Sequence, residues 1–104
     1  MFHVVNLREY RGEDVVRVDR GTILGNPFKI GRDGTREEVI SKYRAWLWAQ
    51  VQLRGPVYKE LQRLLYLEDV SEVALGCWCA PLPCHAEVIK ACLEWLVSSG
   101  DCAV

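Results

Sequence analysis

The stretch from Val73 to Val88, Val-Ala-Leu-Gly-Cys-Trp-Cys-Ala-Pro-Leu-Pro-Cys-His-Ala-Glu-Val, limits what this chain can fold into more than any other segment. Its first half is a continuous apolar run, Val73 to Cys79, bounded by turn signals. Such a run predicts a short strand buried on both faces. Pro81 and Pro83 cannot continue a central strand, and Pro83 suits the first turn of a helix. That helix is implied by the spacing of His85, Val88, Ile89, Cys92, Trp95 and Leu96. Strand, tight loop and helix thus gather three sulfurs and an imidazole where the strand ends and the helix begins.

With 104 residues, half of them hydrophobic, there is room for one domain spanning 1–104 around one core. No apolar stretch approaches the roughly 20 residues of a membrane span, and the N-terminus lacks an export pattern. A cytoplasmic protein with no membrane partner is expected. Five cysteines, an odd number, in a chain without an export signal argue for reduced thiols and against a disulfide framework. Cys92 then reads as part of an apolar helix face, and Cys102 as part of a fraying tail.

The formal net charge of −1 argues against nonspecific nucleic-acid binding. The charges are nonetheless segregated: of 13 basic side chains, 12 lie within residues 1–67. A local basic patch can attract an anion even when the total charge is near zero.

In chain order, Phe2–Leu7 and Asp14–Val18 have the β-branched content of strands. The polar connection between them is too short for an ordinary parallel crossover, so an antiparallel hairpin is expected. Asp19–Gly34 follows, a glycine-rich loop in which Gly21 and Gly25 permit close backbone approach and Pro27 holds Asn26 extended. Ile23, Leu24 and Phe28 could turn inward and make the same loop a lid over the core. Thr35-Arg-Glu-Glu38 is a capping box, and behind it Val39, Ile40, Tyr43, Leu47 and Val51 form a helical stripe with Trp46 beside it. Tyr43, Trp46 and Trp48 read as core aromatics rather than a base-stacking platform. Gly55-Pro56 separates this helix from the next, in which Val57, Leu61, Leu64 and Leu65 repeat the spacing.

The expected fold is α/β: a small two- or three-layer Rossmann-like domain packed by three helices. Its short mixed sheet would combine the N-terminal hairpin with a parallel central strand. The two loops would then share the carboxyl edge of the sheet, where open α/β sheets place ligands. Antiparallel pairing would bring His3 there as well.

Three chemistries fit that edge. One is a pocket in which Arg20, Lys29 and loop amides around Gly21, Gly25, Asn26 and Pro27 hold a phosphate-like anion. Trp78 or Phe28 would cover an apolar or base-like part, with Cys77, Cys79, Cys84 and His85 forming the far wall. Another is a structural or catalytic zinc site on Cys77, Cys79, Cys84 and His85, although the spacing is not that of a common finger and adjacent Cys84 and His85 should diverge. A third is a thiol enzyme with Cys84 as nucleophile and His85 or His3 as base, lacking an identifiable orienting carboxylate. The first is the reading adopted. It expects a small anionic or nucleotide-like ligand and no cofactor, with zinc as the alternative, and it leaves open turnover and homo-oligomer formation.

Val4-Val-Asn-Leu7, Leu24-Gly-Asn-Pro-Phe28, the helix bearing Tyr43 and Trp46, and above all Leu75-Gly-Cys-Trp-Cys-Ala-Pro-Leu-Pro-Cys-His-Ala86 carry a family likeness. By these motifs the chain resembles the prokaryotic and phage-associated domain of unknown function 4326 family over almost its whole length. Arg20 and Gly21 match the basic and small residues that precede Gly-Asn-Pro-Phe in that family. The resemblance implies a small intracellular α/β domain common in mobile elements and carries no activity. Its phage setting suggests, by analogy, the sequestering of a nucleotide signal of host defence.

Overall fold

A computed structural model describes residues 2–10, 12, 15–68, 73–78 and 84–99. Cys79, Pro81, Pro83, Asp14 and Cys102 lie outside the described residues. The elements are β1 (Phe2–Asn6), β2 (Val15–Arg17), α1 (Arg36–Leu53), α2 (Pro56–Glu68), β3 (Val73–Cys77) and α3 (His85–Ser99).

All five residues of β3 are buried, and the strand is central: the order is β1-β3-β2. Both neighbours pair with it in parallel, Phe2 opposite Val73 through Asn6 opposite Cys77, and Val15 opposite Ala74 through Arg17 opposite Gly76. The expected antiparallel hairpin is therefore incorrect. A strand buried on both faces gains most when both of its edges are also hydrogen-bonded, and β1 and β2 supply one edge each. The short link between them passes from one side of β3 to the other, and a small residue makes this feasible. A Cβ on Gly76 would lie 2.5 Å from Leu7 Cδ2 and 2.7 Å from Val15 Cγ2. The side chains that flank the link thus occupy the space that any larger residue at 76 would claim.

Alternation along parallel, in-register strands assigns the faces. Phe2, Val4, Val16, Val73, Leu75 and Cys77 join the hydrophobic cluster with the helices, while Gly76 faces the crossing link. Because β1 runs parallel, His3 sits opposite Ala74 near the start of the sheet, not at its carboxyl edge. The expectation that His3 neighbours the site is therefore incorrect.

Helix α1 begins as its capping box dictates: Thr35 Oγ1 accepts from the Glu38 amide and Glu38 Oε1 accepts from the Thr35 amide. Val39, Tyr43, Leu47 and Val51 form its buried stripe. Arg54 takes a left-handed conformation (φ 56°), and its amide donates to Val51 O, ending the helix one residue before Gly55. In α2 the buried hydrophobic residues are Val57, Tyr58, Leu61, Leu64 and Leu65, and in α3 Ala86, Val88, Ile89, Leu93 and Leu96. Trp48 departs from the expected core role. It is 45% exposed and meets Trp95 edge-on, with ring centroids 4.8 Å apart. Among the described residues no helix is long and apolar enough to cross a membrane.

Candidate functional site

At the carboxyl ends of the three strands the chain enters a turn, the glycine-rich loop and the approach to α3. Asn6 closes β1 by accepting from the Arg8 amide through Oδ1, and its Nδ2 donates to Trp78 O at 3.3 Å. Val18 extends β2 by donating to Gly76 O, which leaves Asp19 beside the residue that follows β3. Trp78 Nε1 donates to Asp19 Oδ2 at 2.9 Å, and Arg17 Nη2 donates to the same oxygen at 2.5 Å. The Arg17 hydrogen bond, supported by that of Trp78, holds the Asp19 carboxyl below the usual aspartate range. Its other oxygen, Oδ1, is buried and has no hydrogen-bond partner among the described residues.

The loop is fastened from within. Asp19 O accepts from the Thr22 amide and hydroxyl, making a tight turn. A Cβ on Gly25 would lie 2.5 Å from Asp19 O and 2.8 Å from Arg20 Cα, so only glycine lets the loop fold back on its own backbone here. Arg20 donates from Nη1 to Asn26 O (2.6 Å) and from Nη2 to Phe28 O (2.8 Å). Asn26, 7% exposed, accepts from the Phe28 amide through Oδ1 and bridges Pro27. Tyr43 ties the loop to α1 through a buried 2.6 Å hydrogen bond to Leu24 O, and burial raises its hydroxyl pKa far above the ordinary tyrosine value.

Opposite the loop stand the sulfurs and the imidazole. Cys84 Sγ lies 3.0 Å from Cys77 Sγ and 3.3 Å from His85 Nδ1. The expectation that adjacent Cys84 and His85 diverge is thus incorrect, because the helix boundary falls between them and turns both side chains inward. His85 Nε2 faces Val18 O, a pure acceptor, so Nε2 carries the proton and Nδ1 accepts from the Cys84 thiol. Burial lowers the His85 pKa and favours the neutral ring. Tetrahedral zinc would hold two sulfurs about 3.7 Å apart, given metal–sulfur bonds of about 2.3 Å. Among the described residues no group of three or more histidine, cysteine or acidic side chains is placed to hold a metal ion.

Between these walls lies a cleft of about 250 Å³. Of the residues singled out in the sequence, it brings together Arg20, Gly21, Asn26, Cys77, Trp78, Cys84 and His85. Gly25, Pro27, Phe28 and Lys29 do not line it. Gly25 and Phe28 shape the loop instead, and Lys29 contributes a backbone amide to Asp33 Oδ2. Cys79 lies outside the described residues. The cleft also includes Asp19, Ile30, Arg36 and Ile40. The signal for Asp19 was its position directly after a valine-rich strand, and that for Arg36 its place as the first helical residue behind the Thr35 cap.

Comparison with known proteins agrees with the family resemblance. The family model described as Domain of unknown function (DUF4326) matches residues 5–95. An Enterobacteria phage T4 protein, described as an uncharacterized 12.4 kDa protein in the nrdA-td intergenic region, is 33% identical over 87 residues. That match covers 83% of this chain and 71% of the phage protein. No solved structure matches.

Proposed function

Since the chain belongs to the family described as Domain of unknown function (DUF4326), for which no activity can be borrowed, we propose from the site alone that it binds a small phosphorylated or nucleotide-like ligand between the glycine-rich loop and the start of α3. The observation that carries this reading is the convergence of Arg20, Arg36 and the half-exposed Trp78 on one cleft at the carboxyl edge of a parallel sheet. Guanidinium groups recognise phosphate oxygens, and an aromatic face accepts a flat ring. Ligand pockets commonly run from roughly 300 to 1,000 Å³, so a cleft near 250 Å³ suits one ring system with one charged group rather than a dinucleotide. Arg20 serves twice in this reading. Two of its donors hold the loop, and a guanidinium has five, so donors remain for an anion. In a family with a phage T4 member, such a binder would act by sequestering a nucleotide signal of host defence.

A thermal-shift screen of nucleoside mono- and diphosphates and sugar phosphates tests the proposal. A ligand at 100 times its Kd adds about 2.7 kcal/mol, which in a chain of this size raises Tm by roughly 10 °C or more. Arg36→Gln should remove most of that shift. A broad panel without any shift would sink the reading.

The Cys84–His85 contact favours a second reading, a thiol-dependent enzyme with Cys84 as nucleophile and its Nδ1-bonded partner as base. Cys84 is only 3% exposed, which weighs against attack on a bound ligand. Mass spectrometry of a ligand recovered after long incubation separates the two. Unchanged ligand supports the binder, and a product that disappears in Cys84→Ser supports the enzyme.

A further inference from the structure

We propose that the cleft sandwiches one flat aromatic ring, with Trp78 as one jaw and Ile30 as the other, which makes Ile30 a specificity-determining residue. This rests on the ligand-binding reading above and narrows it from phosphorylated small molecules to nucleoside monophosphates gripped by both faces of the base.

Among the described residues, Ile30 (51% exposed) and Trp78 (52% exposed) are the only exposed large hydrophobic side chains that line the cleft. They come from its two walls, Ile30 from the glycine-rich loop and Trp78 from the residue that follows β3. Neither is loosely placed. The Trp78 ring donates to Asp19 Oδ2, which Arg17 also holds, and the Trp78 carbonyl accepts from Asn6 Nδ2. Ile30 sits in a turn closed by hydrogen bonds from the Asp33 amide to Lys29 O, from the Gly31 amide to Gly34 O and from the Lys29 amide to Asp33 Oδ2. Lys42 Nζ donates to Asp33 O and fastens that turn to α1. A single exposed apolar side chain is ordinary. Two of them, each held in place on its own wall of one concavity, present apolar surface that a flat ring covers on both faces with little further ordering of the protein. Ile40, half-buried in the same cleft, extends this lining, and Arg20 and Arg36 are left for the phosphate. A sugar phosphate would engage the arginines and leave both jaws in water.

Titration calorimetry on the full chain tests this with two probes: purine riboside 5′-monophosphate, whose base has no N–H and offers mainly its faces, and ribose 5-phosphate, which has no base. The first should bind about tenfold or more tightly than the second, the scale of stacking one base. Ile30→Ser should cut that preference by about threefold or more, because it replaces aliphatic carbon against the ring with a hydroxyl. Ile30→Leu should restore it. Ile23→Ser is the matched control: Ile23 lies in the same loop, is 47% exposed and does not line the cleft, so the preference should stay unchanged. Equal binding of the two probes overturns the proposal, and so does a preference that Ile30→Ser leaves intact. An equal loss in Ile23→Ser assigns the effect to the loop as a whole and overturns it as well. Those three outcomes leave the anion-binding reading standing, whereas absence of binding by both probes removes both. Ile30 is half-exposed, so its variants should keep the unfolding midpoint of the unaltered chain; if Ile30→Ser does not fold, Ile30→Ala is read in its place by the same criteria.

Discussion

Two concavities on this molecule are built from similar residue types and differ in what those residues do. The cleft at the strand ends contains Trp78, two cysteines and two arginines, and the groove between α1 and α3 contains Trp48, Trp95, Cys92 and Arg44. The groove is the larger, about 540 Å³ against 250 Å³. Yet its two tryptophans make a ring contact with each other, and its cysteine is held inert by burial, with the thiol pKa pushed up to about 11. In the cleft the indole is tied to a buried carboxylate, the imidazole to a strand-end carbonyl, and Arg20 to the backbone of the loop. The difference teaches that convergent, buried polar groups mark a site better than volume does.

The largest break in that contrast should come from Gly25→Ala. The added Cβ collides with backbone atoms of Asp19 and Arg20, which cannot rotate away. Urea unfolding should show a loss near the top of the about 1–3 kcal/mol range for overpacking, with ligand binding abolished. Tyr43→Phe comes next, leaving Leu24 O buried without its donor. It should cost about 1–2 kcal/mol in the same assay and weaken ligand binding by loosening the loop.

Acid should affect the cleft in two stages. The folded-state pKa of His85 lies below its ordinary 6.5, so the unfolded chain takes up the proton first and stability falls as pH drops below about 6.5. Asp19 is likewise depressed from its ordinary 3.8. Its contribution is complete above that value and is lost as pH falls through the lower folded value. Unfolding midpoints at pH 7.5, 5.5 and 3.5 check this. His85→Gln should flatten the first step, and Asp19→Asn the acid one.

Trp95→Ala should have the smallest effect. It removes a half-exposed edge-to-face pair worth about 0.5–1.5 kcal/mol beyond its buried area and leaves ligand affinity unchanged. An equal fall in affinity would move the binding site to the groove.

Much of this arrangement was legible in the chain. The capping box at Thr35–Glu38, the helical stripes and the all-apolar run of β3 are local signals, and each produced the expected element. The shared sheet edge of the two loops followed from the crossover between β2 and β3. The β1–β2 pairing was not legible, because linker length suggested a hairpin while the decisive fact was a missing side chain at Gly76, opposite Leu7 and Val15. Arg20 was found, but its bonds to Asn26 O and Phe28 O belong to the loop as much as to a ligand. Asp19 was not legible, because a charged residue at a strand end ordinarily faces solvent. Only the fold brings Trp78, 59 residues away, to cover it.

The four tryptophans provide the most direct test of the central claim, because each indole N–H gives its own signal in a nitrogen–proton correlation spectrum. Titration with nucleoside 5′-monophosphates is predicted to shift the Trp78 indole signal, whose proton lies on Asp19, while the Trp48 and Trp95 signals stay in place. Movement of Trp48 and Trp95 with a stationary Trp78 would contradict the assignment of the cleft as the binding site.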